Sequence, residues 1–327
     1  MKKLINDPAR YVDEALEGLC LAYPGYRKSG RVIARVAGPA TGMVGVVTGG
    51  GFGHLPVFAG YVAGGMLGAA AVGEVFAGPP VDVCGQAIRA ADGGAGVVCV
   101  LGNYGGDRMS FAQACEEFED EGGSTATVIV ADDVASATTA ERTKRRGVAG
   151  MVFAFKTAGA AADAGASLDE VARIARHTAD RTRSIGVALS PCLIPGATAP
   201  GFSVAEGGIE LGMGIHGEPG IERRSLPSAD EVARAMVERL LADRGSQGGR
   251  VALLLNSLGA TPLEELLILY RATHALLNQA HVEIGLRYVG HYATSMEMAG
   301  CSISLVELDP EIERLLKQPT DCPFWPR

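Results

Sequence analysis

Short apolar runs alternate with amphipathic stretches along the whole chain, and turn residues separate them. Asn6-Asp7-Pro8 supplies a capping side chain and a proline for a helix start, and Val12, Leu16, Leu19 and Cys20 follow at helical spacing. Residues 31–36 and 43–48 are β-rich, and the second run ends in a glycine loop. Residues 82–92 predict a short helix and 96–101 a buried strand, which leads into a loop at 102–107. Ser110 and Gln113 have capping-box spacing and predict a helix from there to 121. Residues 125–130 form a strand ending at Asp132-Asp133.

The second part continues the pattern. Residues 147–164 predict an apolar, alanine-rich helix, and Ser167 with Glu170 caps the next one. Strands follow at 184–189, 209–213, 251–255, 285–289 and 302–308. Ser228 with Glu231 opens a helix carrying Val232, Met236 and Leu240 on one face. Thr261-Pro262-Leu263-Glu264 opens another as capping residue, first-turn proline and acidic third position. Asp309-Pro310 opens the last. The apolar stretch 57–75 is rich in alanine and glycine, which suits a packed helix–turn segment better than a membrane span. Strand–helix alternation predicts an α/β protein of two α/β domains, each with a mainly parallel or mixed sheet flanked by helices. The proline-rich stretch after Ser190 sets the division: 1–190 carries two of the candidate loops and 191–327 the third.

Those loops hold the candidate chemistry. Gly212-Met213-Gly214-Ile215-His216-Gly217-Glu218-Pro219-Gly220 places one imidazole among four glycines. Such a loop is either a turn with an incidental histidine or a device for presenting an imidazole to a small ligand. Gly49-Gly50-Gly51-Phe52-Gly53-His54-Leu55-Pro56 repeats the design directly after a strand, where open α/β sheets place ligands. Its spacing is not G-x-G-x-x-G, since His54 stands where the last glycine belongs. Asp107, in Asn103-Tyr104-Gly105-Gly106-Asp107, is a turn former or a catalytic carboxylate. Asp132-Asp133 has no histidine spaced to complete a metal site, so it reads as a solvated strand end or helix cap.

Composition narrows the class. The net charge is -8, and no basic cluster exceeds Lys144-Arg145-Arg146, which disfavours nucleic acid as a partner. The 45 glycines have no collagen-like period. The seven cysteines are scattered without zinc spacing and read as reduced thiols, and the first residues lack the apolar core of a signal peptide, so a cytoplasmic protein is expected. There is no P-loop, no H-E-x-x-H, no G-x-S-x-G, and no carboxylate set for Mg²⁺ on a nucleotide. Two histidines and an aspartate on glycine loops suggest a small polar substrate handled without a cofactor in this chain.

These motifs together, with Ile221-Glu222-Arg223-Arg224, Asn256-x-Leu258-Gly259-Ala260-Thr261-Pro262 and the opening Met1-Lys2-Lys3-Leu4-Ile5-Asn6-Asp7, resemble the ketone-binding (DhaK-type) subunit of the dihydroxyacetone kinases over nearly the whole chain. The resemblance implies a kinase subunit in which His216 adds to a substrate ketone as a covalent hemiaminal, Asp107 acts as base, and His54 assists by hydrogen bonding. It implies a homodimer. It also places Mg²⁺ and ATP or ADP on a separate helical nucleotide-binding (DhaL-type) subunit. Four positions depart from the family pattern: Phe52 replaces a common Ser, Leu55 a Glu, Gly78 a frequent Ser, and Gly102 a Lys. With Gly51 and Gly53, positions 52, 78 and 102 are expected to line the substrate, and the changes read as a repurposed pocket for a longer ketose such as the tetrulose erythrulose. The alternative is a non-catalytic paralogue that senses a ketone through His216 and acts on a regulator.

Overall fold

The computed structural model describes residues 2–245 and 248–326, so Met1 of the opening motif lies outside them. Asp7 caps a 3-10 turn, Pro8–Arg10, by accepting from the Ala9 amide, and α1 (Tyr11–Ala22) follows with Val12, Leu16 and Leu19 buried. The first sheet holds β1 (Tyr26–Ser29), β2 (Val32–Arg35), β3 (Gly45–Gly50), β4 (Ala69–Val72), β5 (Val97–Gly102) and β6 (Thr125–Val130). Their order is β1-β2-β4-β3-β5-β6. The four strands from β4 to β6 run parallel, and β1 and β2 add antiparallel pairs at one edge. Helices α2 (Val81–Ala91) and α3 (Gly105–Asp120) share one apolar cluster with the sheet.

Two helices, α4 (Met151–Asp163) and α5 (Leu168–Asp180), lead to the second sheet. It contains β7 (Thr182–Ala188), β8 (Gly208–Leu211), β9 (Glu222–Ser225), β10 (Arg250–Ser257), β11 (Glu283–Gly290) and β12 (Gly300–Glu307) in the order β11-β10-β12-β7-β8-β9. Only β10 and β11 pair in parallel, so this mixed sheet is mainly antiparallel. Its helices are α6 (Ala229–Arg244), α7 (Leu263–Gln279) and α8 (Pro310–Leu316). Membership of the second sheet thus begins at Thr182, ahead of the proline-rich stretch. Every residue of α4 except its last is buried, and one apolar cluster joins α4 to Val98 and Val100 of the first sheet and to Leu254 and Val306 of the second. That position explains the alanines: only small side chains let a helix lie so close to its neighbours. No helix among the described residues is long and apolar enough to cross a membrane.

Four local expectations need correction. Residues 57–75 contain a 3-10 turn and the strand β4, not a helix. β4 is buried on both faces, so it shows no alternation, and three alanines conceal its β character. Helix α3 begins at Gly105, and Ser110 lies inside it; the glycines that suggest a loop form the first turn, where Asp107 complements the helix dipole. The Thr261 hydroxyl accepts from the Gly300 amide instead of capping α7. Of the two readings of Asp132-Asp133, the solvated strand end falls, since both residues are buried, and the helix cap holds for Asp132. Asp132 accepts from the amides of Val148 (2.8 Å) and Gly150 (2.9 Å) ahead of α4, and from Ser184 on β7. Asp133 pairs with Arg146, and Arg145 pairs with Asp243, so the basic cluster serves the fold.

Asp132→Ala leaves two amides and a hydroxyl without that acceptor in a dry site. The expected cost is about 2–4 kcal/mol. It should appear as a lower urea midpoint at unchanged m-value; a loss below about 0.5 kcal/mol, the range of an ordinary surface change, would refute the capping role.

Candidate active site

Three chain segments converge at the ends of strands. β3 leaves the sheet through Gly51 into a 3-10 turn, Phe52–His54. The turn is held by the amides of Phe52 and Gly53, which donate to the carbonyls of Glu74 (2.9 Å) and Val75 (2.7 Å). A Cβ at Gly51 or Gly53 would press into that neighbouring main chain, so close backbone approach demands glycine at both. The adjacent parallel strand β5 delivers Asp107 in the first turn of α3. The connection between β8 and β9 carries His216, and Gly212 and Gly217 there take φ of +80° and +83°. Arg146, tied to Asp133, donates to the Gly212 carbonyl at 2.8 Å and fixes the start of this loop.

The two histidines meet directly, Nε2 to Nε2, at 2.9 Å, with their rings nearly perpendicular. His54 Nδ1 lies 2.8 Å from the Thr294 carbonyl, which can only accept, so this nitrogen donates. His216 Nδ1 lies 3.0 Å from Glu218 Oε1, and the His216 amide donates to Oε2 at 3.0 Å. Both Nδ1 atoms therefore carry protons. The close contact between the two Nε2 atoms then needs one further, shared proton. Burial pushes His54 down to about 3, and the charge of His216 adds to this, so His54 is a poor holder of that proton. Burial opposes ionisation of Glu218, but the His216 hydrogen bonds and charge outweigh it and hold the carboxyl at about 2. The Tyr104 ring stands edge-on to His216 at 4.7 Å, and Phe76 flanks both imidazoles.

Asp107 is 7% exposed, and burial raises it to about 6 against the pull of His216. No side-chain hydrogen bond holds its carboxylate among the described residues. A buried carboxylate near His216, free of such bonds and titrating near neutrality, is suited to accept a proton. A Cβ at Gly78 would overlap Asp107 Oδ1. Gly78→Ala should therefore displace the carboxylate and lower turnover about 10- to 100-fold, the scale of a misplaced catalytic group. Steady-state kinetics beside a thermal melt would check this, and unchanged turnover would show that Asp107 needs no such room.

The structure thus brings together His54, Asp107, His216 and Gly78, with Gly51 and Gly53 shaping the turn. It does not bring Phe52 to the histidines. That ring is buried against Tyr11, and with Leu55 it lines a hollow under the N-terminal residues. Gly102 lies beneath Tyr104 and the Met151 sulfur, so it accommodates the aromatic wall. Of the four departures, only Gly78 meets the side chain of one of the three candidate catalytic residues. Sequence reasoning missed Glu218, Phe76, Tyr104, Thr294 and Ser295. Glu218 was within reach, two residues from His216 in the same glycine loop; Thr294 and Ser295 carry no local signal. Among the described residues no group of three or more His, Cys, Asp or Glu could hold a metal ion.

Comparison with known proteins identifies the family. The Dak1 domain family matches residues 17–324. The chain is 41% identical to a PTS-dependent dihydroxyacetone kinase 1, dihydroxyacetone-binding subunit DhaK, of Listeria innocua, over 99% of this chain and 100% of that protein. It is also 41% identical to an L-erythrulose 1-kinase of Mycolicibacterium smegmatis, over 100% of this chain and 58% of that protein. The crystal structure of the dihydroxyacetone kinase of C. freundii superposes with a TM-score of 0.91 at 33% identity, over 99% of this chain and 60% of that one.

Proposed function

This chain belongs to the Dak1 domain family, and we propose that it is the ketose-binding part of a kinase, capturing a short ketose on His216 and presenting a terminal hydroxyl for phosphorylation. The observation that carries this reading is the direct Nε2–Nε2 contact of His54 and His216 beside the buried Asp107. A ketone has to part this 2.9 Å contact to reach both nitrogens. A ketone entering between the rings has its carbon before His216 Nε2 and its oxygen before His54 Nε2. The shared proton first passes to His54, which leaves the His216 lone pair free. The C–N bond then forms, the carbonyl π pair moves to oxygen, and oxygen takes the proton from His54. The net charge is unchanged: the positive charge remains on the His216 ring, opposite Glu218. Covalent capture rejects polyols, which have no carbonyl, and fixes the terminal hydroxyl for Asp107.

Phosphoryl transfer needs a nucleotide and Mg²⁺, which we assign to a separate helical subunit. The Listeria relative supports this, since its name describes one subunit of a kinase. Retention of His54 and Asp107 beside His216 favours a kinase over a ketone sensor, which needs only the capturing residue. Relatives at equal identity are named for dihydroxyacetone and for erythrulose. Gly78 is the one departure that meets the Asp107 carboxylate, and on that change we place erythrulose first as the reading to test.

Intact mass spectrometry with each ketose in turn tests the reading. One adduct mass per chain, larger in yield with erythrulose, is expected. Clear preference for dihydroxyacetone removes the tetrulose assignment, and no adduct with either on folded protein removes ketose capture.

A further inference from the structure

Three consecutive residues between β11 and β12 hold both histidine loops. Thr294 accepts from His54 Nδ1, donates its amide to the His54 carbonyl (3.3 Å) and its hydroxyl to the Leu55 carbonyl (3.0 Å). The Met296 amide donates to the Gly53 carbonyl at 2.8 Å. Between them, Ser295 turns the other way: its hydroxyl donates to the Ile215 carbonyl at 2.6 Å, one residue before His216. Ser295 is fully buried, its amide donates to the Leu258 carbonyl at 2.7 Å, and the Cys192 sulfur lies 3.8 Å from its hydroxyl. Met296 has φ of +54°, a left-handed conformation that non-glycine residues seldom adopt. Gly259 is required opposite, since a Cβ there would overlap the Met296 carbonyl.

We infer that Ser295 is a positioning residue, and that the strap 294–296 sets the separation of the two imidazoles. The His54 turn comes from the first sheet and the His216 loop from the second. A segment of the second sheet bonded to both fixes their relative position. Ser295 makes the only side-chain bond from this segment to the His216 loop among the described residues. The conformation at Met296 lets successive residues face the two loops in turn. This inference rests on the reading of His216 as the capturing group.

The test compares Ser295→Ala with Ser304→Ala in the full chain. Ser304 is equally buried, and its hydroxyl bonds Ser184 away from the histidines. Two quantities are read: the rate of ketose adduct formation, and the ¹⁵N signals of the imidazoles in the ligand-free protein. Ser295→Ala should slow capture about 10- to 100-fold, as expected for a displaced reacting group, and move the His54 and His216 signals. Ser304→Ala should leave both as in wild type, with a comparable change in melting temperature. Ser295→Cys, close in volume and a weak donor, should fall between and carries the comparison if the alanine variant does not fold. Wild-type capture by Ser295→Ala, or equal slowing by Ser304→Ala, overturns the positioning role and leaves ketose capture standing. If wild type captures nothing while Ser295→Ala still moves the imidazole signals, capture fails and positioning stands. With neither effect, both fail.

Discussion

His216→Ala is expected to take up no ketose at all and to lose at least about 10³-fold in phosphorylation rate, because covalent attachment and the placement that comes with it vanish together. The side chain is 24% exposed on a loop, and its removal leaves the apolar clusters untouched. The loop keeps its other anchors, Arg146 at Gly212 and Ser295 at Ile215. Loss of function should therefore come with a nearly unchanged melting temperature. Intact mass and a coupled assay with the nucleotide-bearing partner would measure both effects. An adduct of wild-type yield on the alanine variant would show that another nucleophile captures the ketose.

That outcome bears on how much of the site is legible before folding. His54 and His216 are visible because each is the one imidazole in a glycine loop that follows a strand, and glycine loops have no packing reason to hold a histidine. Asp107 is visible because it closes a glycine-bearing segment after a strand, and that segment runs into the first turn of α3. The alternation of apolar runs and capping signals places most elements well, since those signals act locally. It fails for β4, which is buried on both faces, and for the short polar strands β1 and β9 at sheet edges, where no face is apolar enough to register. It also fails for the support of the site. Thr294 lies 240 residues from His54, and Ser295 lies 80 from Ile215. A hydrogen bond over such a separation leaves no periodic trace. The surroundings of Phe52, Leu55 and Gly102 are not legible for a related reason. Adjacency in a loop says which residues are near the histidine in sequence, not which face of the turn each side chain takes.

Asp107 separates capture from transfer, and this gives the second large expected effect. Asp107→Asn keeps the shape of the side chain but removes its ability to accept a proton. The ketose adduct should form as in wild type, because His216 and His54 supply that step. Phosphorylation should then fall about 10²- to 10⁴-fold, the range associated with a positioned general base. The pH profile carries an independent sign. The base works as carboxylate, and burial raises Asp107 to about 6. Wild-type turnover should thus rise through pH 6 and level off above it, dropping about tenfold per unit on the acid side. In Asp107→Asn this limb should disappear, leaving a low and flatter rate. Loss of the adduct together with turnover would place Asp107 in capture instead. Wild-type turnover in the variant would assign the base to another group. Gly78 bears on the same group, since its missing side chain leaves the Asp107 carboxylate its place. The acid limb should therefore shift when position 78 is filled, even in a variant whose adduct yield is unchanged.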